Sequence, residues 1–404
     1  MFAPLQVKDD IFWTGALDYN IRVFDIIMRT GYGTTYNSFV VKGTNKTVLF
    51  EVAKEAFFDE FFERLTAVTD PAAIDYIVLD HTEPDHTSCL YKLLPHCPNA
   101  TIVATSTALR FIAQILNQDF AKQAVKDGDV LDIGGKTLHF IPVPFLHWPD
   151  TMFTYIPECK TIFTCDAFGC HYCDAKVFND QITGDFEEAY KYYFDSILGP
   201  FKAYTAQALK KIENLEIETI CNGHGPVIRS NPQSYLDLYR QWSQPVKKDR
   251  ASVVIAYVTA YGYTRKLAEA IAEGLRAVTP PDDRPLDIRL FDLAFCDKPQ
   301  AIEAMENADG ILLGSPTLVG DALPPVYDVL IHMNPIIHKG KIAGLFGSYG
   351  WSGEAVPNLE GRVKQLKWRM PIPSLKVQFR PSDEDLSKAV EFGRQFGEEI
   401  QKKR

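Results

Sequence analysis

His81-Thr82-Glu83-Pro84-Asp85-His86 follows directly on the apolar run Ile77-Val78-Leu79. Four possible metal ligands in six positions are too dense for a solvated turn. A loop leaving the end of a buried strand can aim alternate side chains into one cavity, so His81, Glu83 and Asp85 converge while His86 approaches from the start of the following helix. Three further candidates stand just past apolar stretches: His147 after residues 138–143, Asp166 after Thr161-Ile162-Phe163, and His224 after residues 217–220. The intervals between them leave room for a strand or helix unit, as in a site assembled from several loops on one sheet. Together they supply four imidazoles and three carboxylates without a thiolate, a set that favours iron, manganese or zinc over structural zinc.

The remaining composition sets the outer bounds. At 404 residues the chain is long enough for two or three domains, 46% hydrophobic content is ample for buried cores, and a net charge of −10 argues against nucleic-acid binding. Residues 1–10 lack a charged start followed by an apolar core, and no run approaches a membrane span, so a cytoplasmic protein without membrane attachment is expected. Eight cysteines in such a length imply no disulfide framework. The single C-x-x-C, Cys170 with Cys173, lacks a second pair, so its thiols are read as reduced and structural. His96, His139, His332 and His338 fall outside the ligand pattern, and the aromatic group Tyr190, Tyr192, Tyr193 and Phe194 has the spacing of a packed helix.

A polar stretch at 241–251, containing Pro245, marks the expected boundary, with domains at 1–248 and 249–404. Beyond it, apolar strands at 253–258, 288–291, 311–313, 342–346 and 375–377 alternate with helical patterns, which predicts a doubly wound parallel sheet. The loop Thr259-Ala260-Tyr261-Gly262-Tyr263-Thr264 opens a helix, and hydroxyls with backbone N–H groups at a helix N-terminus make a phosphate cradle. Two more loops follow later strands: Ser315, Pro316 and Thr317 after the third, and Ser348, Tyr349, Gly350, Trp351, Ser352 and Gly353 after the fourth. One phosphate loop and two ring-holding loops resemble a flavodoxin. The implied ligand is FMN, with Trp351 close to its isoalloxazine.

The H-x-E-x-D-H hexapeptide followed by isolated His, Asp and His resembles the metallo-β-lactamase superfamily, and residues 35–41 with 47–50 look like its first hairpin. Hydrolases of that superfamily usually carry His where Glu83 stands. The exchange adds a negative charge, which suits iron at a higher oxidation state more than zinc. A β-lactamase-like module fused to a flavodoxin resembles the flavodiiron proteins over essentially the whole chain, and the wording around His147, Asp166 and His224 is similar to theirs. The fold so implied is α/β: an N-terminal metallo-β-lactamase-like αββα sandwich and a C-terminal flavodoxin-like doubly wound parallel sheet.

By that resemblance, His81, Glu83 and His147 bind one iron, Asp85, His86 and His224 bind the other, and Asp166 bridges them, giving two non-haem irons and one FMN per chain. The family reduces dioxygen to water, nitric oxide to nitrous oxide, or both, with electrons from rubredoxin or from a reduced deazaflavin. It places the flavin of one chain beside the irons of another in a head-to-tail homodimer or a dimer of dimers. His171, five residues after Asp166, is the candidate proton donor, with a hydrogen-bonded histidine in a surface turn as the alternative. Two other classes stay open: a zinc hydrolase with an appended flavodoxin domain, and a flavin electron carrier whose metal site is structural. Nothing in the ligand set ranks oxygen over nitric oxide.

Overall fold

In a computed structural model of the chain, residues 4–24, 28–244, 249–278 and 284–402 are described. Two compact units result, Met1–Pro245 and Val246–Arg404. The junction expected between 248 and 249 falls on a stretch outside the described residues.

The first unit stacks two sheets. Seven strands run in the order Leu5–Lys8, Ile11–Trp13, Phe39–Lys42, Thr47–Phe50, Tyr76–Val78, Thr101–Thr105 and Lys122–Val125, and five in the order Val130–Asp132, Thr137–Pro142, Met152–Ile156, Thr161–Cys165 and Thr219–Asn222. Alternation sorts the faces. Val41, Phe50, Val78 and Val103 share one core with Phe140 and Phe163 of the other sheet, and Phe50 stacks on Phe163 at 3.8 Å. Val40, Leu49, Ile77 and Ile102 face the opposite way. They pack with the helices Phe58–Val68 and Ser106–Leu116, as Phe153, Ile162 and Ile220 do with Lys202–Lys211 and Pro232–Trp242. The result is an αββα sandwich. Tyr76–Val78 runs parallel to both its neighbours, and Thr161–Cys165 runs parallel to Thr219–Asn222. Within each sheet these parallel strands therefore end on one edge, where their loops gather.

The hairpin expected from residues 35–41 is broken. Thr34–Tyr36 pairs instead with Ala16–Asp18, and only Phe39–Lys42 pairs with Thr47–Phe50. The break lies at Asn37 and Ser38, whose buried side chains bond elsewhere: Asn37 Nδ2 to the carbonyls of Asn222 and Gly225, Ser38 Oγ to that of Glu51.

The second unit is a five-stranded parallel sheet in the order Asp287–Asp292, Ser252–Tyr257, Gly310–Gly314, Ile342–Tyr349, Leu375–Gln378. In chain order this is 2-1-3-4-5, the flavodoxin-like winding with its switch point between the first and third strands. Helices Tyr263–Arg276 and Asp383–Gln401 cover one face, and Lys298–Asn307, Pro324–Leu330 and Ala355–Gln365 the other. One expected loop starts later than the sequence suggests. Ser348 and Tyr349 pair with Val377 and Gln378 and so belong to the fourth strand.

Candidate functional site

Strand ends deliver seven side chains to one place in the first unit. The single helical turn Pro84–Thr87 begins right after Glu83, so Asp85 as well as His86 sits on it. Glu83 occupies the N-cap position but makes no side-chain cap bond. Its Oε2 instead lies 2.9 Å from His147 Nε2 and 3.3 Å from His81 Nε2. Asp166 Oδ2 completes that set, at 3.4 Å from His81 Nε2 and 3.2 Å from His147 Nε2. The other oxygen of Asp166 turns the opposite way. Oδ1 is 3.1 Å from His86 Nε2 and 3.5 Å from His224 Nε2, while Asp85 Oδ2 lies 3.5 Å and 3.1 Å from the same two nitrogens.

These spacings suit two cations. At metal–ligand distances of roughly 2.1 Å, neighbouring donors sit about 3.0–3.4 Å apart. Asp85 is almost wholly buried, yet neither of its oxygens has a hydrogen-bond partner among the described residues. Despite its approach to His224 and His86, the carboxylate is aimed at a shared point rather than at a proton. A buried unpaired carboxylate is costly, and a metal ion removes that cost. Charge tells the same story. Burial alone would raise Asp166 and lower His81 and His147; instead the imidazoles, His86 foremost, hold Asp166 well below the carboxylate range, and nearby carboxylates raise His81 and bring His147 to about 9. The donors are hard oxygens and imidazole nitrogens, which fits iron.

Surrounding groups fix the imidazoles. His224 Nδ1 donates to the Thr35 carbonyl at 2.6 Å, so its Nε2 carries the lone pair toward the cluster. His81 Nδ1 faces Asp150 Oδ2 at 3.7 Å, and Thr82 Oγ1 donates to that oxygen at 2.7 Å. His171 is buried beside His224, with ring centroids 5.1 Å apart, rather than in a surface turn. Its Nδ1 is 2.8 Å from Thr34 Oγ1, and its Nε2 has no partner among the described residues. Burial, then His224, hold it well below its ordinary value, so it is neutral. Phe24 stacks on it at 4.5 Å and Tyr193 meets it edge-on at 4.9 Å. Tyr193, placed in a packed helix by its spacing, thus also faces the cluster. Cys170 and Cys173 are free, and burial pushes both thiols up, Cys173 to about 12.

In the second unit a cavity of about 570 Å³ opens at the switch point, a size typical of cofactor sites. Ala260, Tyr261 and Tyr263 line it from the first loop, Pro316 and Thr317 from the second, and Ser348 to Ser352 from the third. Gly262 stands at the N-cap with φ 81° and no side-chain cap, so the first N–H groups of a 14-residue helix are left for a ligand. The Thr259 hydroxyl is buried without a partner among the described residues. Both features fit a phosphate group, and the rings of Tyr261 and Trp351 fit a flavin. Five expected residues do not line the cavity: Thr259 and Gly262, just described, and three that stand behind the wall. Thr264 Oγ1 bonds Ser348 Oγ, Ser315 Oγ accepts from Leu323 N–H, and Gly353 lies against the Tyr349 ring. Sequence reasoning missed Leu318, Val319, Gly320 and Phe379, which line the cavity and carry no polar mark.

Comparison with known proteins places this geometry. Residues 34–225 match the ODP family beta lactamase and residues 255–393 match flavodoxin. The type A flavoprotein fprA of Rhodobacter capsulatus is 40% identical over 404 residues, covering 98% of this chain and 92% of that protein. A nitric oxide reductase of Moorella thermoacetica is 36% identical over 410 residues, covering 99% and 100%. The rubredoxin oxygen:oxidoreductase of Desulfovibrio gigas superposes with a TM-score of 0.67 at 28% identity, covering 99% of both chains. The flavodiiron protein of Giardia intestinalis gives 0.64 at 28%, covering 99% of this chain and 97% of that one. With two matching modules in the same order and 40% identity along nearly its full length, the chain belongs to the type A flavoproteins, the flavodiiron proteins.

Proposed function

We propose that this chain is an oxidoreductase that passes electrons from FMN to a pair of non-haem irons and there reduces dioxygen to water, nitric oxide to nitrous oxide, or both. One observation carries the reading: Asp166 offers one oxygen to each of two donor sets. In it, His81, Glu83 and His147 would hold one iron and Asp85, His86 and His224 the other, with Asp166 available to both. When bound, FMN accepts electrons in pairs and releases them singly, and the iron pair gives a diatomic substrate a reducing, polarising seat. The chain does the rest. Glu83 and His147, with side chains 15% and 17% exposed, form the open side through which a small gas enters. Phe24, Tyr36 and Tyr193 exclude water on the far side. His171, a neutral imidazole with a free Nε2, can hold or yield a proton beside His224.

Electrons come from a rubredoxin-type donor or a reduced deazaflavin, and the working form is a head-to-tail homodimer or a dimer of dimers in the cytoplasm. Among the described residues no helix is long and apolar enough to cross a membrane. Glu83 weighs against the zinc hydrolase, since a third carboxylate in the centre favours a metal that changes oxidation state. The test is stopped-flow oxidation of the fully reduced protein by each gas, with metal and flavin analysis of the same sample. Zinc in an active, iron-free preparation would overturn the reading.

A further inference from the structure

Asp166 sits in a turn that its own backbone resists. Cys165 before it and Phe168 after it lie in the left-handed region, at φ 44° and 64°, where side chains other than glycine are disfavoured. Such a turn persists only if its surroundings hold it. Gly223 N–H donates to the Cys165 carbonyl at 2.5 Å, Thr164 Oγ1 to that of Ala167 at 2.7 Å, and Phe168 N–H to Tyr239 Oη at 2.9 Å. The fourth restraint differs in kind. Asn222, buried at the end of the strand Thr219–Asn222, shares the two hydrogens of its side-chain Nδ2 among the carbonyls of Phe168 at 3.0 Å, His224 at 2.9 Å and Pro226 at 3.1 Å. One carboxamide thereby joins the loop of the spanning carboxylate to the loop of His224. Its own backbone is anchored in turn. The Asn222 carbonyl accepts from Asn37 Nδ2, and Asn37 Oδ1 accepts from Trp13 Nε1 and Thr35 Oγ1.

We propose that Asn222 is a positioning residue: its carboxamide clips the Asp166 turn to the His224 loop, so that one carboxylate oxygen meets each donor set. The inference rests on the two-metal reading of the cluster. Without the clip the turn relaxes toward an ordinary φ, and both oxygens can swing to the same set. A residue that merely filled space would be replaced by an apolar one of the same forked outline without this effect.

Asn222→Leu keeps the forked heavy-atom outline in a somewhat larger apolar side chain and donates nothing; Asn222→Ser keeps one hydroxyl donor in a smaller one. The apo form of the full-length protein is titrated anaerobically with cobalt(II), following affinity and the magnetic coupling of the bound ions, while circular dichroism reports folding. The parent should bind a coupled pair. In folded Asn222→Leu the coupling should vanish and the weaker ion should bind about 10- to 100-fold less tightly, the usual effect of losing an outer-shell partner. Asn222→Ser should fall between, and it decides alone if the leucine variant does not fold. A folded variant that holds a coupled pair with the parent's affinity overturns the proposal, whatever its thermal stability. A parent that binds the coupled pair yet reduces neither gas would sink the gas-reductase reading and leave the clip standing.

Discussion

Among the described residues Asp166 is the one carboxylate that reaches both donor sets, so its removal should do more than subtract one candidate ligand. With Asp166→Ala, four imidazoles face only two carboxylates and nothing spans them. Iron should fall from about two per chain to about one or less, because a carboxylate shared by both donor sets is lost, while FMN content and its reduction by dithionite stay at the parent's level. Full iron together with full gas turnover would refute the spanning role. The seven clustered side chains were legible because metal donors come from a short list of residue types, chiefly His, Asp, Glu and Cys, and strand ends are where a sheet can point them. Their supports were not. Asn37 and Asn222 send their side-chain amides to backbone carbonyls that any residue possesses, the Thr35 carbonyl is itself such a group, and Asp150 reaches His81 from a loop far along the chain. The left-handed conformation of Cys165 and Phe168, worth roughly 1–3 kcal/mol of strain each, also left no trace in their residue types.

The loop at 259–264 and the helix it opens form the element that offers the candidate phosphate cradle. At Gly262 a Cβ would meet no described atom within 4 Å, so the cost of alanine is the positive φ alone. Gly262→Ala should destabilise the unit by about 1–2 kcal/mol. Gly262→Asp adds a carboxylate where a phosphate must sit, so its FMN dissociation constant should rise well beyond that of the alanine variant; equal constants by fluorescence titration would argue against a phosphate there. The helix was visible in the sequence as an apolar period, whereas Leu318, Val319 and Phe379 were not marked as cofactor-facing, because apolar residues in loops look alike wherever they point. A second element-scale expectation concerns the segment after Pro324–Leu330. His338 is mostly buried, its Nδ1 accepts from Asn334 N–H at 3.0 Å, and burial with Lys341 lowers it to about 4. An unfolded chain takes up that proton near pH 6.5. Between those values the unfolded state binds more protons, so stability should fall as pH drops from about 6.5 toward about 4. Urea unfolding of the second unit at several pH values should show a shallower pH dependence for His338→Gln; identical slopes would count against the account.

At the scale of the whole molecule, the proposed head-to-tail arrangement can be tested by mixing defects. Asp166→Ala keeps the flavin and loses the spanning carboxylate, and Gly262→Asp does the reverse. Either homodimer should be nearly inactive. A mixed dimer holds one intact flavin facing one intact iron pair across the two-fold, so it should recover appreciable turnover. Isolated mixed dimers that stay dead, with FMN and iron confirmed by analysis, would exclude transfer between chains. The unequal burial of the two donor sets has another outcome. Glu83 and His147 are partly open, whereas Asp85, His86 and His224 are sealed. On the two-metal reading, one ion should be renewable from the medium, and the other should be an inheritance from the moment of folding. A chelator should strip the irons in two phases, a prompt one of about half the total and a slow one that tracks the unfolding rate; release in a single phase would mean the ions share one route out. A repair system that restores damaged protein could then replace the first ion in place, but the second only by resynthesis or refolding of the chain.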